Sequence, residues 1–163
     1  MTTYSNNPYA WGTTLLRVAV GIIFVGHGAQ KLFQMTPTGL AGFFAQVGIP
    51  FPELNAYFVI AVELLGGLAM IAGLGTRTLG ALFAAIMVVA IATVHGTHGF
   101  FLPNGYEYNL VLLAGSVSLV LQGAGAFAVD NLLTRARTNR ASAGDGATGW
   151  TTSPGPYSGE AAR

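Results

Sequence analysis

A histidine, an amide and a lysine fall within five residues of one apolar run. The run reads GIIFVGHGAQKLF, and its polar members are His27, Gln30 and Lys31. Residues four apart, such as His27 and Lys31, share one face of a helix. A lysine there can bind an anion or a carbonyl oxygen, and a buried imidazole needs hydrogen-bond partners. The alternative for Lys31 is that its side chain extends to the lipid head groups.

Two further ionisable residues lie inside apolar segments. Arg17 occurs in TTLLRVAVG, and Glu63 occurs in FVIAVELLGGLAMIAGL. Because a charged side chain at the centre of a membrane helix costs about 2.5–3.5 kcal/mol on insertion scales, we expect Glu63 to be paired. Arg17 and His27 are its predicted partners. The pair is either a functional proton relay or a fixed ion pair that sets helix register.

A third polar group opens the segment GYEYNLVLLAG, where Glu107 and Asn109 occupy the first turn. An acidic residue at a helix start offsets the positive end of the helix dipole, which is one interpretation of Glu107. The other interpretation places Glu107 and Asn109 opposite the His27/Lys31 face of a pocket. No catalytic residue is predicted. The candidate polar site comprises Arg17, His27, Gln30, Lys31, Glu63, Glu107 and Asn109.

The histidines give no recognisable metal motif. His27, His95 and His98 are weak candidate ligands, but no further ligands occur at a typical spacing, so no metal site is predicted. The chain contains no cysteine, which excludes disulfides, thiolate metal sites and thiol redox chemistry within it. No cofactor is evident from these residues.

The composition is typical of a membrane protein. Of 163 residues, 52% are hydrophobic and only 8% are charged, against about 25% charged in a soluble domain. The net charge of +1 gives no indication of nucleic-acid binding. Four apolar segments are long enough to cross a bilayer, and a short interfacial helix is expected at Leu40–Val47. We therefore predict an all-α integral membrane four-helix bundle with spans at about 11–33, 54–74, 78–95 and 107–127.

The basic residues predict the orientation of this bundle. Arg77 lies between the second and third spans, and Arg135, Arg137 and Arg140 follow the fourth. By the positive-inside rule, both termini are predicted to be cytoplasmic in a multi-pass plasma (inner) membrane protein, which places His27, Lys31 and Glu107 towards the outer side. The predicted organisation is an N-terminal segment 1–10, a membrane domain 11–134 and a basic, then disordered, cytoplasmic tail 135–163.

Three stretches together resemble the DoxX family of small four-span membrane proteins. They are LLRVAVGIIFVGHGAQKLF, VELLGGLAMIAGLGTR and GYEYNLVLLAGSVSLVLQGAGAFAVD, and they extend from about Leu15 to Leu133. The resemblance implies that the His27/Lys31 face belongs to the polar constellation of the family. It also implies a link to membrane redox chemistry, since some members are associated with thiosulfate:quinone oxidoreduction and others with thiol and superoxide stress. The AFAVD stretch differs from the serine-containing version of the family pattern, so the resemblance implies no role for a serine hydroxyl at that position.

Two hypotheses of function remain open. In the first, the bundle binds a quinone or a small sulfur compound, or a partner redox enzyme, as a subunit of a quinone-linked oxidoreductase. Lys31 and His27 would bind the ligand, and Glu63 would relay protons. In the second, the protein is a non-catalytic scaffold or assembly factor for a partner membrane or periplasmic enzyme. The expected partners are the lipid bilayer, a redox enzyme or a second copy of the chain. An inverted-repeat transporter is disfavoured because the second half does not repeat the first.

Overall fold

A computed structural model describes residues 8–134, and no strand occurs among them. The all-α prediction is confirmed, while the predicted tail 135–163 lies outside the described residues. A helical segment at 129–134 is the last described. The five preceding helices are α1 (Pro8–Met35), α2 (Pro37–Gln46), α3 (Pro52–Ala72), α4 (Thr76–His98) and α5 (Glu107–Gln122).

Three of these helices are long and apolar enough to cross a membrane. They are α1, α3 and α4, with 28, 21 and 23 residues and mean hydropathies of 1.5, 1.9 and 2.1. At about 1.5 Å per residue each helix reaches across a hydrocarbon core of about 30 Å. The ends of the first three predicted spans lie within three residues of these helices. The predicted short helix at Leu40–Val47 corresponds to α2, which begins at Pro37 with Thr36 as its N-cap.

Helix α5 is shorter than the sequence pattern indicates. It has 16 residues, or about 24 Å, and it ends five residues before the predicted limit at Phe127. Gly123 ends it with a left-handed φ of 83°, and the guanidinium of Arg77 donates a hydrogen bond to the carbonyl of Val120 at 2.8 Å. The chain then turns back onto the start of α1, where Ala126 N donates to Ala10 O at 3.2 Å. That α5 crosses the membrane remains a prediction.

Glycines bring the helix backbones into contact. An ideal Cβ on Gly21 of α1 would lie 2.9 Å from the carbonyl oxygen of Gly67 on α3, and one on Gly67 would lie 2.9 Å from the carbonyl oxygen of Gly21. Gly80 of α4 lies equally close to the backbone of α5 at Ser116. Close approach at small residues is the usual way that membrane helices associate, because lipid gives them little hydrophobic drive to do so.

Two apolar clusters fill the bundle. The larger one is centred on Phe24 and Phe83, whose rings stack with centroids 3.8 Å apart. The smaller one joins α2 to the first half of α3 through Leu40, Phe44, Ala56 and Ile60. Members of both clusters, Phe24 of the larger and Phe44 of the smaller among them, line one cavity at one end of the bundle.

The two ends of the bundle differ in character. At the arginine end, defined by Arg17 and Arg77, the carboxylate of Asp130 accepts hydrogen bonds from Gly75 N at 2.9 Å and Thr76 N at 3.2 Å. Asp130 thus satisfies backbone donors at the start of α4, as an N-cap does. At the opposite end, called the cavity end below, α1 and α4 finish, α3 and α5 begin, and α2 and the 99–106 loop pack.

Candidate functional site

Each of the three long helices widens into a π-helical turn in its cavity-end half or near its middle. These turns are Lys31–Met35 in α1, Val62–Gly66 in α3 and Ile91–His95 in α4. Each contains an ionisable side chain, namely Lys31, Glu63 and His95. A π turn inside an α-helix is uncommon and frequently marks a functional site, since it turns side chains away from the regular helical spacing.

Lys31 and Glu63 form an ion pair across α1 and α3. Lys31 Nζ lies 2.6 Å from Glu63 Oε2, and the two side chains are 20% and 2% exposed. The expectation that Glu63 is paired holds, but Arg17 and His27 are the wrong partners. The alternative prediction that Lys31 extends to the lipid head groups is also wrong, because its side chain turns inward to Glu63.

The partner follows from the close packing of α1 on α3. An ideal Cβ on Gly28 would lie 2.6 Å from Leu64 N, so no side chain separates the two backbones there. Glu63 therefore lies at the level of Gly28, and Lys31 follows three residues later, about 4.5 Å along the helix axis. The four-carbon stem of Lys31 spans that distance. By contrast, Gly26 has no atom within 4 Å of its ideal Cβ, so it leaves open space.

A cavity of about 680 Å³ lies beside this ion pair at the cavity end of the bundle. Its volume is within the range of about 300–1,000 Å³ that is typical of small-molecule sites. Most of its wall is apolar, with Phe24, Phe44 and Leu112 among the lining residues. The polar and ionisable side chains on its wall are His27, Lys31, Asn55, Glu63, Thr93, His95, Tyr108 and Asn109.

His27 and Tyr108 form one side of the cavity. Their ring centroids are 6.0 Å apart with the planes tilted by 48°. The imidazole is half-buried, and the ion pair of Glu63 is with Lys31 and not with His27. Gln30 itself is not among the lining residues. Gln30 therefore does not face the cavity.

Asn109 is buried at the start of α5. It is 8% exposed, and its amide nitrogen donates to the sulfur of Met87 at 3.6 Å. Thioether sulfur is a weak acceptor. The amide of Asn109 can therefore exchange this contact for a stronger hydrogen bond to an oxygen atom placed in the cavity.

Besides Gln30, two predicted site residues do not line the cavity. Glu107 turns towards the preceding loop, where its carboxylate accepts a hydrogen bond from Leu102 N at 2.9 Å. The pocket interpretation of Glu107 is therefore wrong. Arg17 lies at the arginine end, 2% exposed, and a side chain at Gly73 would overlap its guanidinium. Asp130 is the carboxylate that acts electrostatically on Arg17.

The weak metal candidates His95 and His98 each contact a backbone carbonyl. His95 contacts the carbonyl of Asn104 at 2.9 Å, and His98 contacts the carbonyl of Val94 at 2.9 Å. Within residues 8–134, no three histidine or carboxylate side chains are grouped so as to hold a metal ion. His95 lines the cavity, whereas His98 does not.

Sequence reasoning missed several lining residues. Asn55 and Thr93 carried no signal that separates them from other polar residues near helix ends. Tyr108 also lines the cavity, and its position directly before Asn109 at a helix start is a signal that could have indicated it. As a whole, the wall offers hydrogen-bond donors at several points around an apolar interior, with a balanced pair of charges at its base. This arrangement suits a flat, largely apolar molecule that carries oxygen acceptors.

Comparisons with known proteins agree with the sequence resemblance. Residues 12–96 match the family model DoxX. A Bacillus subtilis protein named "Putative oxidoreductase CatD" is 38% identical over 134 residues, which cover 82% of this chain and 96% of the relative. The Escherichia coli inner membrane protein YqjF is 31% identical over 129 residues, 76% of this chain and 93% of the relative. An uncharacterised membrane protein of Mycobacterium tuberculosis is 28% identical over 134 residues, 76% and 82% of the two chains. No solved structure matches the chain.

Proposed function

The chain belongs to the DoxX family of membrane proteins, and from that premise we propose that it is a membrane redox component that binds a quinone in its cavity. The observation that carries the proposal is the Lys31–Glu63 pair at the wall of an otherwise apolar cavity of about 680 Å³. Ionisable groups kept in a low-dielectric interior are costly, and they are usually retained for function.

The donors on the cavity wall fit the two carbonyl oxygens of a quinone. Lys31 and His27 provide donors on the α1 side, and the amide of Asn109 provides one on the α5 side. Apolar side chains such as Phe24 and Leu112 enclose the space between them. Hydrogen bonds from both sides would hold a flat ring in one orientation, while the apolar wall excludes water.

A bound quinone would supply the electron-accepting chemistry, which cysteine cannot provide in a chain that has none. The residues of the chain would handle protons. Lys31 and Glu63 are in direct contact, so a proton can move between Nζ and Oε2 along an existing hydrogen bond. His27 is a further proton donor or acceptor on the cavity wall, since a neutral imidazole has one nitrogen of each kind.

The relatives give further support. The Bacillus subtilis relative is named as a putative oxidoreductase, and the matched region includes 96% of that protein. The region that matches the family model, residues 12–96, contains both members of the ion pair.

The proposal can be tested on purified protein in native-lipid particles. We expect co-purified quinone in the lipid extract, and thermal stabilisation of the protein by ubiquinone or menaquinone analogues. His27→Ala and Asn109→Leu should each weaken this stabilisation, with a loss of at least about tenfold in apparent affinity, because each removes one hydrogen bond made in a desolvated site. His98→Ala is the matched control, since His98 lies at the same end of the bundle outside the cavity lining.

The result against the proposal is equally clear. If no quinone co-purifies and no analogue stabilises the wild-type protein, the redox proposal fails. The alternative of a non-catalytic scaffold or assembly factor would then be preferred.

A further inference from the structure

Helices α3 and α4 are in contact near the arginine end and separate towards the cavity end. At Gly66 the two are close, since an ideal Cβ would lie 3.1 Å from Leu79 and 3.4 Å from Phe83. Beyond this level the first half of α3 packs on α2 instead, through the cluster that contains Ala56 and Ile60. The cavity occupies the space that this divergence leaves.

The walls of the cavity continue to the outside of the bundle between these two helices. Phe58 of α3 and Val89 of α4 both line the cavity, and both are about half exposed, at 48% and 47%. A side chain that lines a cavity and is also exposed marks an opening, and Met35 and Leu102, 39% and 56% exposed, mark another at the cavity end of the bundle. We call the gap between Phe58 and Val89 the side slot.

The side slot lies at the depth of the hydrocarbon core if α3 and α4 cross the membrane. Phe58 is six residues from the cavity-end start of α3, and Val89 is nine residues from the cavity-end limit of α4. These separations correspond to about 9 Å and about 13 Å along the helix axes. The rim of the slot is apolar, as expected for an opening that faces acyl chains.

We propose that the cavity takes a neutral ligand with a long apolar tail, which enters from the bilayer between α3 and α4 and leaves its tail in the side slot. The inference rests on the proposed function and specifies the class of ligand and its route. The apolar rim favours an acyl or isoprenoid chain over water. A charged ligand would lose its hydration on this route without a compensating partner, because the ammonium of Lys31 is already paired with Glu63 at 2.6 Å.

Adjacent valines on α4 allow a matched test. Val89 lines the cavity and Val88 does not, although the two are similarly exposed, at 47% and 52%. Val89→Trp would narrow the side slot, and Val88→Trp is the control on the lipid-facing side. Binding is measured by thermal shift in native-lipid particles with two probes, a benzoquinone with a decyl tail and the same ring without a tail.

We expect Val89→Trp to weaken binding of the tailed quinone at least about tenfold while leaving the tailless ring within about twofold of wild type, and Val88→Trp to change neither. Phe58→Trp, on the opposite rim, should repeat the effect. Equal loss of both probes in Val89→Trp would mean that the side slot makes no contact specific to the tail, and unchanged binding of the tailed probe would mean that the tail leaves elsewhere. Either result overturns side entry while the proposed function stands. If neither probe binds the wild-type protein, the proposed function itself fails.

Discussion

Lys31 on α1 and Glu63 on α3 make a 2.6 Å ion pair at the point where Gly28 brings the two helices into contact. The pair is asymmetric, because the carboxylate is almost fully enclosed while the lysine is partly open to the cavity. Because the two side chains differ in exposure, we expect the stability of the bundle to depend on which of the two charges is removed.

Removal of the lysine should be the more damaging change. Lys31→Met leaves the carboxylate of Glu63 buried without its partner, and loss of one member of a buried pair costs about 3–5 kcal/mol. Glu63→Gln keeps a hydrogen-bond acceptor beside Lys31, so we expect a smaller cost. Unfolding in detergent, followed by circular dichroism, measures both variants.

The double variant Lys31→Met/Glu63→Leu provides the control for these single variants. We expect it to recover most of the stability lost in Lys31→Met, since replacement of a whole buried pair by apolar side chains is often close to neutral. With Glu63→Leu measured alone as well, a double variant as unstable as the sum of Lys31→Met and Glu63→Leu would show that the ion pair does not couple α1 to α3.

Two glycines provide an independent test of how α1 packs on α3. Gly21→Ala and Gly67→Ala each insert a methyl group about 2.9 Å from a carbonyl oxygen of the facing helix. We expect each to destabilise the bundle by about 1–3 kcal/mol, as overpacking usually does. Gly26→Ala is the matched control on the same helix, since nothing lies within 4 Å of its ideal Cβ. If all three variants unfold at the same temperature, the two helices are not in this contact.

The long helices could be predicted from the sequence because hydropathy alone determines where an apolar run starts and stops. The end of α5 could not, because it depends on Gly123 and on a guanidinium from Arg77 that reaches the carbonyl of Val120. Hydropathy continues through Phe127, so the pattern overestimates the length of the helix.

The candidate site could be predicted as a set of polar residues but not as a set of contacts. His27, Lys31, Glu63 and Asn109 do line one cavity. The contacts of these residues depend on the register between the helices. That register depends on which glycines lie against the backbone of the neighbouring helix. Gly26 and Gly28 are equivalent in the sequence, yet one faces open space and the other faces the backbone of α3. The π turns also had no sequence signal that we could identify.

Membrane orientation remains a prediction that can be tested directly. The excess of arginine near Arg77 and after residue 134 predicts that the arginine end is cytoplasmic. A reporter fused after Thr138 should therefore be active only in the cytoplasm, and one inserted at Thr38 should be active only outside. The opposite pattern would place His27 and Lys31 on the inner side. Substitution of Arg77 alone is the control, and it should weaken the orientation without reversing it.

The final prediction concerns the choice between a neutral and an anionic ligand. In the wild-type protein the charge of Lys31 is balanced by Glu63, so sulfite or thiosulfate should not stabilise the bundle. Glu63→Gln removes the balancing charge and leaves the ammonium facing the cavity, so these anions should then bind and raise the unfolding temperature. A ligand at about 100 times its Kd adds about 2.7 kcal/mol of stability, which a thermal-shift series resolves easily. The matched control is the double variant Lys31→Met/Glu63→Gln, which has the same neutral amide but lacks the ammonium and should not respond. If the anions stabilise the wild-type protein as strongly as Glu63→Gln, the carboxylate does not screen Lys31, and the cavity is a site for a small sulfur anion.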